Sequence, residues 1–159
     1  MAVFEYRNVP LSKGFDRIPT DAETVDRAVA RMLRKNDERR VYFAHPQPLY
    51  GTDQEKADIA AIERSLHGAR VVNPGDLGDI KIRDMGFYLD MVQECDALVF
   101  VRLNGKILGG VGLEVEFAFN SGKEVYELDG GKLVRINAVP EYLDREDTVA
   151  LLKELGFRK

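Results

Sequence analysis

The segment Gly109-Gly110-Val111-Gly112-Leu113-Glu114-Val115-Glu116 joins a dense run of glycines to two carboxylates. Glycines let a backbone approach a ligand closely, and a helix starting behind them offers unpaired N–H groups and about half a positive charge. With the helix read from about Leu113 to Ser121, Glu114 falls in its first turn. There the helix end favours the ionised form that a carboxylate nucleophile requires. An acidic residue at that place also simply suits the dipole, so the segment alone leaves both readings open. His45, between Ala44 and Pro46, is the second candidate. An imidazole supplies a hydrogen bond or a general acid near neutral pH, the alternative being a loop histidine bonded to backbone.

The elements that must position these groups are legible in outline. Residues 1–19 hold Pro10, Gly14 and Pro19 without a period and read as an irregular arm, with one short strand at Val3 to Tyr6. Thr20 and Glu23 form a capping box for a helix carrying Ala22, Val25, Val29 and Met32, which ends in the charged run Lys35 to Arg40. Val41 to Ala44 reads as a buried strand, and the prolines of His45-Pro46-Gln47-Pro48 make a rigid loop after it. Thr52 and Glu55 cap a helix to about His67, Arg70 to Asn73 is a strand, and a helix spans roughly Asp84 to Glu94. Ala97 to Arg102 is a third strand, followed by a glycine-rich loop from Asn104 to Gly112. Glu124 to Leu128 and Leu133 to Ile136 are further strands, and Asp147 to Leu155 is a closing helix.

Strands separated by helices imply right-handed crossovers and a doubly wound α/β fold, with a mostly parallel sheet of about five strands. Ligands of such sheets bind beyond the carboxyl ends of the strands, which singles out the loops after Ala44 and after Arg102. The expected organisation is residues 1–39 as an arm and helix on a single domain of residues 40–159.

Composition removes several classes. With 45% apolar and 31% charged residues the chain is an ordinary globular one. A net charge of −4 argues against a nucleic-acid polymer as partner, because such affinity comes from Lys and Arg neutralising phosphates. The longest apolar stretch, Ala97 to Val101, is far short of the roughly 18 residues of a membrane span, and the N-terminus has no apolar signal core. The expectation is a cytoplasmic protein off the membrane. Two distant histidines and the lone Cys95 do not make a transition-metal site.

Several segments together resemble the nucleoside 2-deoxyribosyltransferase-like family of N-glycosidases, over roughly residues 41–128. They are Val41-Tyr42-Phe43-Ala44, Cys95-Asp96-Ala97-Leu98-Val99-Phe100, and Gly110-Val111-Gly112-Leu113-Glu114 with Ala118 and Gly122-Lys123 behind it. The resemblance implies a Rossmann-like sheet and makes Glu114, eight residues before the Gly-Lys pair, the nucleophile that forms a covalent glycosyl-enzyme. It puts Tyr42 beside that carboxylate to orient it, and lets Ala44, His45, Gly109, Gly110 and Gly112 cradle a nucleoside or nucleotide. It implies a homo-oligomer, a dimer or larger. No cofactor is expected, since a nucleophile and a proton donor suffice.

The chain departs from that pattern at the base. Where the family often carries an aspartate eight residues before Asp96 stands Tyr88, and Asp84, one helical turn earlier, is the substitute candidate. Leu108 replaces a second aspartate six residues before the nucleophile. Gly109 to Gly112 with Glu116 also resembles a phosphoribohydrolase family, in which Glu116 would be the acting carboxylate. That family has proline and threonine where this chain has Leu108 and Leu113, so Glu114 is preferred. The two glutamates lie about 200° apart on a helix, so only one faces a cavity. A nucleotide sensor that binds without turnover is the competing class.

Overall fold

The computed structural model describes residues 39–77 and 84–158, and the arm, strand and first helix expected before residue 39 lie outside them. Five strands, β1 (Arg40–Ala44), β2 (Arg70–Val72), β3 (Ala97–Phe100), β4 (Glu124–Asp129) and β5 (Lys132–Arg135), form one sheet in the order β2-β1-β3-β4-β5. The first four run parallel, and β5 returns antiparallel to β4. Gly130 and Gly131, with φ of +57° and +81°, make the two-residue hairpin loop between them, a conformation that costs glycine little. Among the described residues four α-helices connect and flank the strands: α1 (Asp53–Ser65), α2 (Met85–Gln93), α3 (Gly109–Asn120) and α4 (Arg145–Glu154). This is the doubly wound α/β sheet expected from the alternation of strands and helices.

Side chains on β1 and β3 alternate between two apolar layers, as the two-residue period of a strand requires. Tyr42, Leu98 and Phe100 pack with Phe87 and Met91 of α2 and Val111, Val115 and Ala118 of α3. Val41, Phe43, Ala97 and Val99 pack on the other face with Ala61 and Ile62 of α1. Each such fully buried large side chain contributes about 1.5–3 kcal/mol. Because both faces are covered, the strands read as unbroken apolar runs in the sequence. Strand order reverses between β1 and β3, and the crevice beyond their carboxyl ends is where such folds hold ligands.

Most boundaries differ from the sequence expectation by one or two residues, and two differences bear on the site. Arg40, read as the end of a charged run, opens β1, its backbone N–H donating to Asp96 Oδ2 at 2.8 Å. The larger difference is α3, which starts at Gly109, four residues before the expected Leu113. Glycine costs a helix about 1 kcal/mol per residue, and packing overrides that cost here. A Cβ on Gly112 would fall 2.0 Å from Cγ of Tyr142, and one on Gly109 would fall 3.0 Å from the Leu143 carbonyl oxygen. The glycines therefore let the segment before α4 lie directly on the first turns of α3. No described helix is long and apolar enough to cross a membrane.

Candidate active site

Tyr42 projects from β1 toward α3 and is fully buried, and its hydroxyl donates to Glu114 Oε2 at 2.5 Å. Glu114, the sixth residue of α3, is 6% exposed and lines a cavity of about 500 Å³. Burial lifts its carboxyl from 4.5 to about 8, against the Tyr42 hydrogen bond, which pulls the other way. This corrects the expectation that the helix end keeps Glu114 ionised. With α3 beginning at Gly109, the side chain stands in the second turn, beyond the reach of the dipole, and desolvation dominates. Tyr42 is held well above the ordinary phenol value by burial and by the neighbouring carboxylate, so it stays a donor.

The same cavity is walled by Tyr50 and Tyr88, whose phenols are both raised, first by burial and then by Glu114. Tyr88 reaches the cavity from α2 together with Met85. Asp84 caps α2, its Oδ1 accepting from Gly86 N at 2.6 Å, and the cavity wall on that helix consists of Met85 and Tyr88. Of the three glycines read as a cradle, Gly110 borders the cavity and has open space where a Cβ would stand. The N–H of Gly109 donates to Thr148 Oγ1 at 2.8 Å, and Gly112 is pressed against Tyr142. These glycines are helical residues, which corrects the loop reading. Glu116 turns to the other side of α3 and accepts from the Tyr142 hydroxyl at 2.6 Å.

Ala44 is fully buried at the end of β1, its carbonyl accepting from Val101 N. His45 borders the cavity but has both ring nitrogens engaged. Nδ1 faces the Phe43 carbonyl oxygen at 3.0 Å and must therefore donate to it. Nε2 lies 2.7 Å from Glu55 Oε2, so those two atoms hold one proton between them. The ring stacks on Phe43, with centroids 4.0 Å apart and planes inclined by 6°. Sequence reasoning assigned Glu55 to the helix cap alone. Thr52 Oγ1 does accept from Glu55 N, but the Glu55 carboxylate is buried, and its bond to His45 spans ten residues with no pattern to announce it. Tyr50, Thr148 and Arg158 also line the cavity without a local signal. Among the described residues no group of three His, Cys, Asp or Glu side chains is placed to hold a metal ion.

Fold and site together define an open α/β protein with a phenol-bound carboxyl at the crevice where strand order reverses. No family model and no curated protein matches the chain. A solved structure that it resembles is a 2-desoxiribosyltransferase from Leishmania mexicana, at 15% identity with a TM-score of 0.39, over 74% of this chain and 99% of that one. The fold assignment rests on the strand order and register given above.

Proposed function

We propose that this chain cleaves the N-glycosidic bond of a nucleoside or (deoxy)nucleotide through a covalent glycosyl-enzyme on Glu114. The observation that carries the reading is the Tyr42 hydroxyl donating to Glu114 at 2.5 Å on the wall of a cavity of about 500 Å³. That volume suits a nucleoside-sized ligand. A Glu114 oxygen bonds to the anomeric carbon as the bond from that carbon to the base nitrogen breaks, and the electron pair leaves with the base, which takes up a proton. Water or a second base then displaces Glu114 from the sugar, so the anomeric configuration is retained over the two steps. Tyr50 and Tyr88 add phenol rings to the cavity wall, and Arg158 brings a guanidinium suited to a 5′-phosphate.

A second reading, a binding module without turnover, is favoured by one observation: with its carboxyl at about 8, Glu114 is mostly neutral at pH 7 in the free protein. The experiment that separates the two incubates the protein with nucleosides, deoxynucleosides and their monophosphates, with and without a free acceptor base, beside Glu114→Gln. Base release lost in the variant supports the glycosidase, and dependence on added base identifies a transferase. Binding without release from any substrate supports the sensor.

A further inference from the structure

The loop from His45 to Thr52 walls one side of the cavity and is turned locally by Leu49 N, Tyr50 N and Thr52 N donating to the carbonyls of Pro46, Gln47 and Leu49. Pro46 and Pro48 carry no N–H, and the only regular structure inside the loop is the short 3₁₀ turn Gln47–Leu49. One carboxylate ties its two ends together. Glu55 Oε2 meets His45 Nε2 at 2.7 Å at the start of the loop, and Glu55 Oε1 accepts from Gly51 N at 3.1 Å near its end. Gly51 has a φ of +73°, a conformation that side chains rarely adopt, so its N–H is aimed by a turn that favours glycine. Tyr50, directly before it, lies against the His45 ring with centroids 4.7 Å apart. Room for the carboxylate comes from the short 3₁₀ turn after β2: a Cβ on Gly75 would fall 2.5 Å from Glu55 Oε2.

We infer that Glu55 is a positioning residue for the site containing Glu114: it clamps the His45–Gly51 loop and thereby sets Tyr50 against the cavity in which the sugar or base is held. The inference rests on the proposed glycosidase reading for its activity readout, and on none for its structural one. Glu55 reaches the ligand only through His45 and Tyr50, so its effect falls on ligand placement. Small displacements of positioning groups cost catalysis heavily, on the order of a hundredfold per ångström in unfavourable cases.

Glu55→Gln keeps an acceptor for Gly51 N and offers an amide N–H to His45 Nε2, whereas Glu55→Ala removes both contacts. For the substrate found to release base, Glu55→Ala is expected to raise KM by about tenfold or more and Glu55→Gln by less than about threefold. Gly75→Ala, which keeps the glutamate but pushes its carboxylate out of the clamp, is expected to fall between them. An unchanged KM in folded Glu55→Ala, with only its melting temperature lowered, overturns the inference, as does a Glu55→Gln as impaired as the alanine variant. Should Glu55→Ala not fold, Gly75→Ala decides by the same criterion. A wild-type protein that releases no base overturns the glycosidase reading alone. The clamp is then read from imidazole ¹H–¹⁵N spectra, simple here because the chain has two histidines and His67→Gln assigns them. A slowly exchanging His45 Nδ1–H in the wild type and in Glu55→Gln that is lost in Glu55→Ala, or in Gly75→Ala where the alanine variant does not fold, supports the clamp; its persistence there overturns it.

Discussion

Tyr42 and Glu114, 72 residues apart in the chain, meet through a 2.5 Å hydrogen bond that crosses from β1 to α3 inside the apolar layer between them. The pair sets two forces against each other. Desolvation disfavours the carboxylate, the phenol O–H favours it, and burial wins, leaving the group poised near 8. For the proposed attack, a carboxyl in that state must be ionised by pH or by what a bound ligand brings to the cavity.

The first prediction concerns the pH dependence of turnover. In the proposed mechanism only the ionised carboxylate attacks, so kcat/KM for base release should rise with pH by about tenfold per unit and level off above about 8. Tyr42→Phe removes the one group that lowers the Glu114 value, so its limb should move to higher pH, with activity at pH 7 lower by about ten- to a hundredfold. Rate profiles of the two proteins check this, and an unshifted limb in Tyr42→Phe would assign the titration to another group.

The same carboxyl affects stability with a definite sign. Its folded-state value of about 8 exceeds the ordinary 4.5, so the folded protein binds this proton more tightly than the unfolded chain. The stabilisation is fully present below pH 4.5 and is lost as pH rises toward 8, a change on the order of a few kcal/mol. Glu114→Gln, which cannot ionise, should show a flatter melting-temperature profile and exceed the wild type in stability at pH 8 to 9. Thermal unfolding followed by circular dichroism from pH 5 to 9 measures the difference.

The parts of this fold that the sequence discloses are those governed by short-range periodicity. Val41 to Ala44 and Ala97 to Phe100 are apolar runs because both faces of the sheet are covered, and Thr52 caps α1 through Glu55 N as a capping box requires. The start of α3 was hidden, because Gly109 to Gly112 satisfy a packing need from Tyr142 and Leu143 that lies some thirty residues away. The site follows the same division. Glu114 is marked by its local motif, and its pairing with Tyr42 comes from a resemblance to a family, since nothing local links residues on separate elements. Glu55 carries no signal in the sequence beyond its place in the helix cap, while its buried bond to His45 depends on how the proline-rich loop folds back.

The glycines of α3 make a third prediction, since two neighbours in one helix should respond oppositely. Gly110→Ala meets no atom within 4 Å and relieves the helix of a glycine, so it should stabilise by about 0.5–1 kcal/mol. Its methyl group enters the cavity border, so KM should rise. Gly112→Ala must displace the Tyr142 ring, and overpacking of that kind costs about 1–3 kcal/mol, more than the helix regains. Melting temperatures of the two variants should therefore move in opposite directions from the wild type.

The last prediction decides which glutamate acts. Glu116 accepts from Tyr142 at 2.6 Å on a partly exposed flank of α3 and is absent from the cavity wall. Losing such a neutral-donor bond costs about 0.5–1.5 kcal/mol, and Glu116→Gln keeps an oxygen acceptor for the phenol, so its loss should be smaller still. Base release by Glu116→Gln should stay within about threefold of the wild type at every pH, because the substitution touches neither the cavity nor the group that titrates near 8. Glu114→Gln should fall by about four orders of magnitude, as expected when a nucleophile is removed and only binding and positioning remain. A reversal of that order, with Glu116→Gln inactive and Glu114→Gln competent, would require α3 to turn by about 200° in the working protein and would transfer the chemistry to the phosphoribohydrolase pattern.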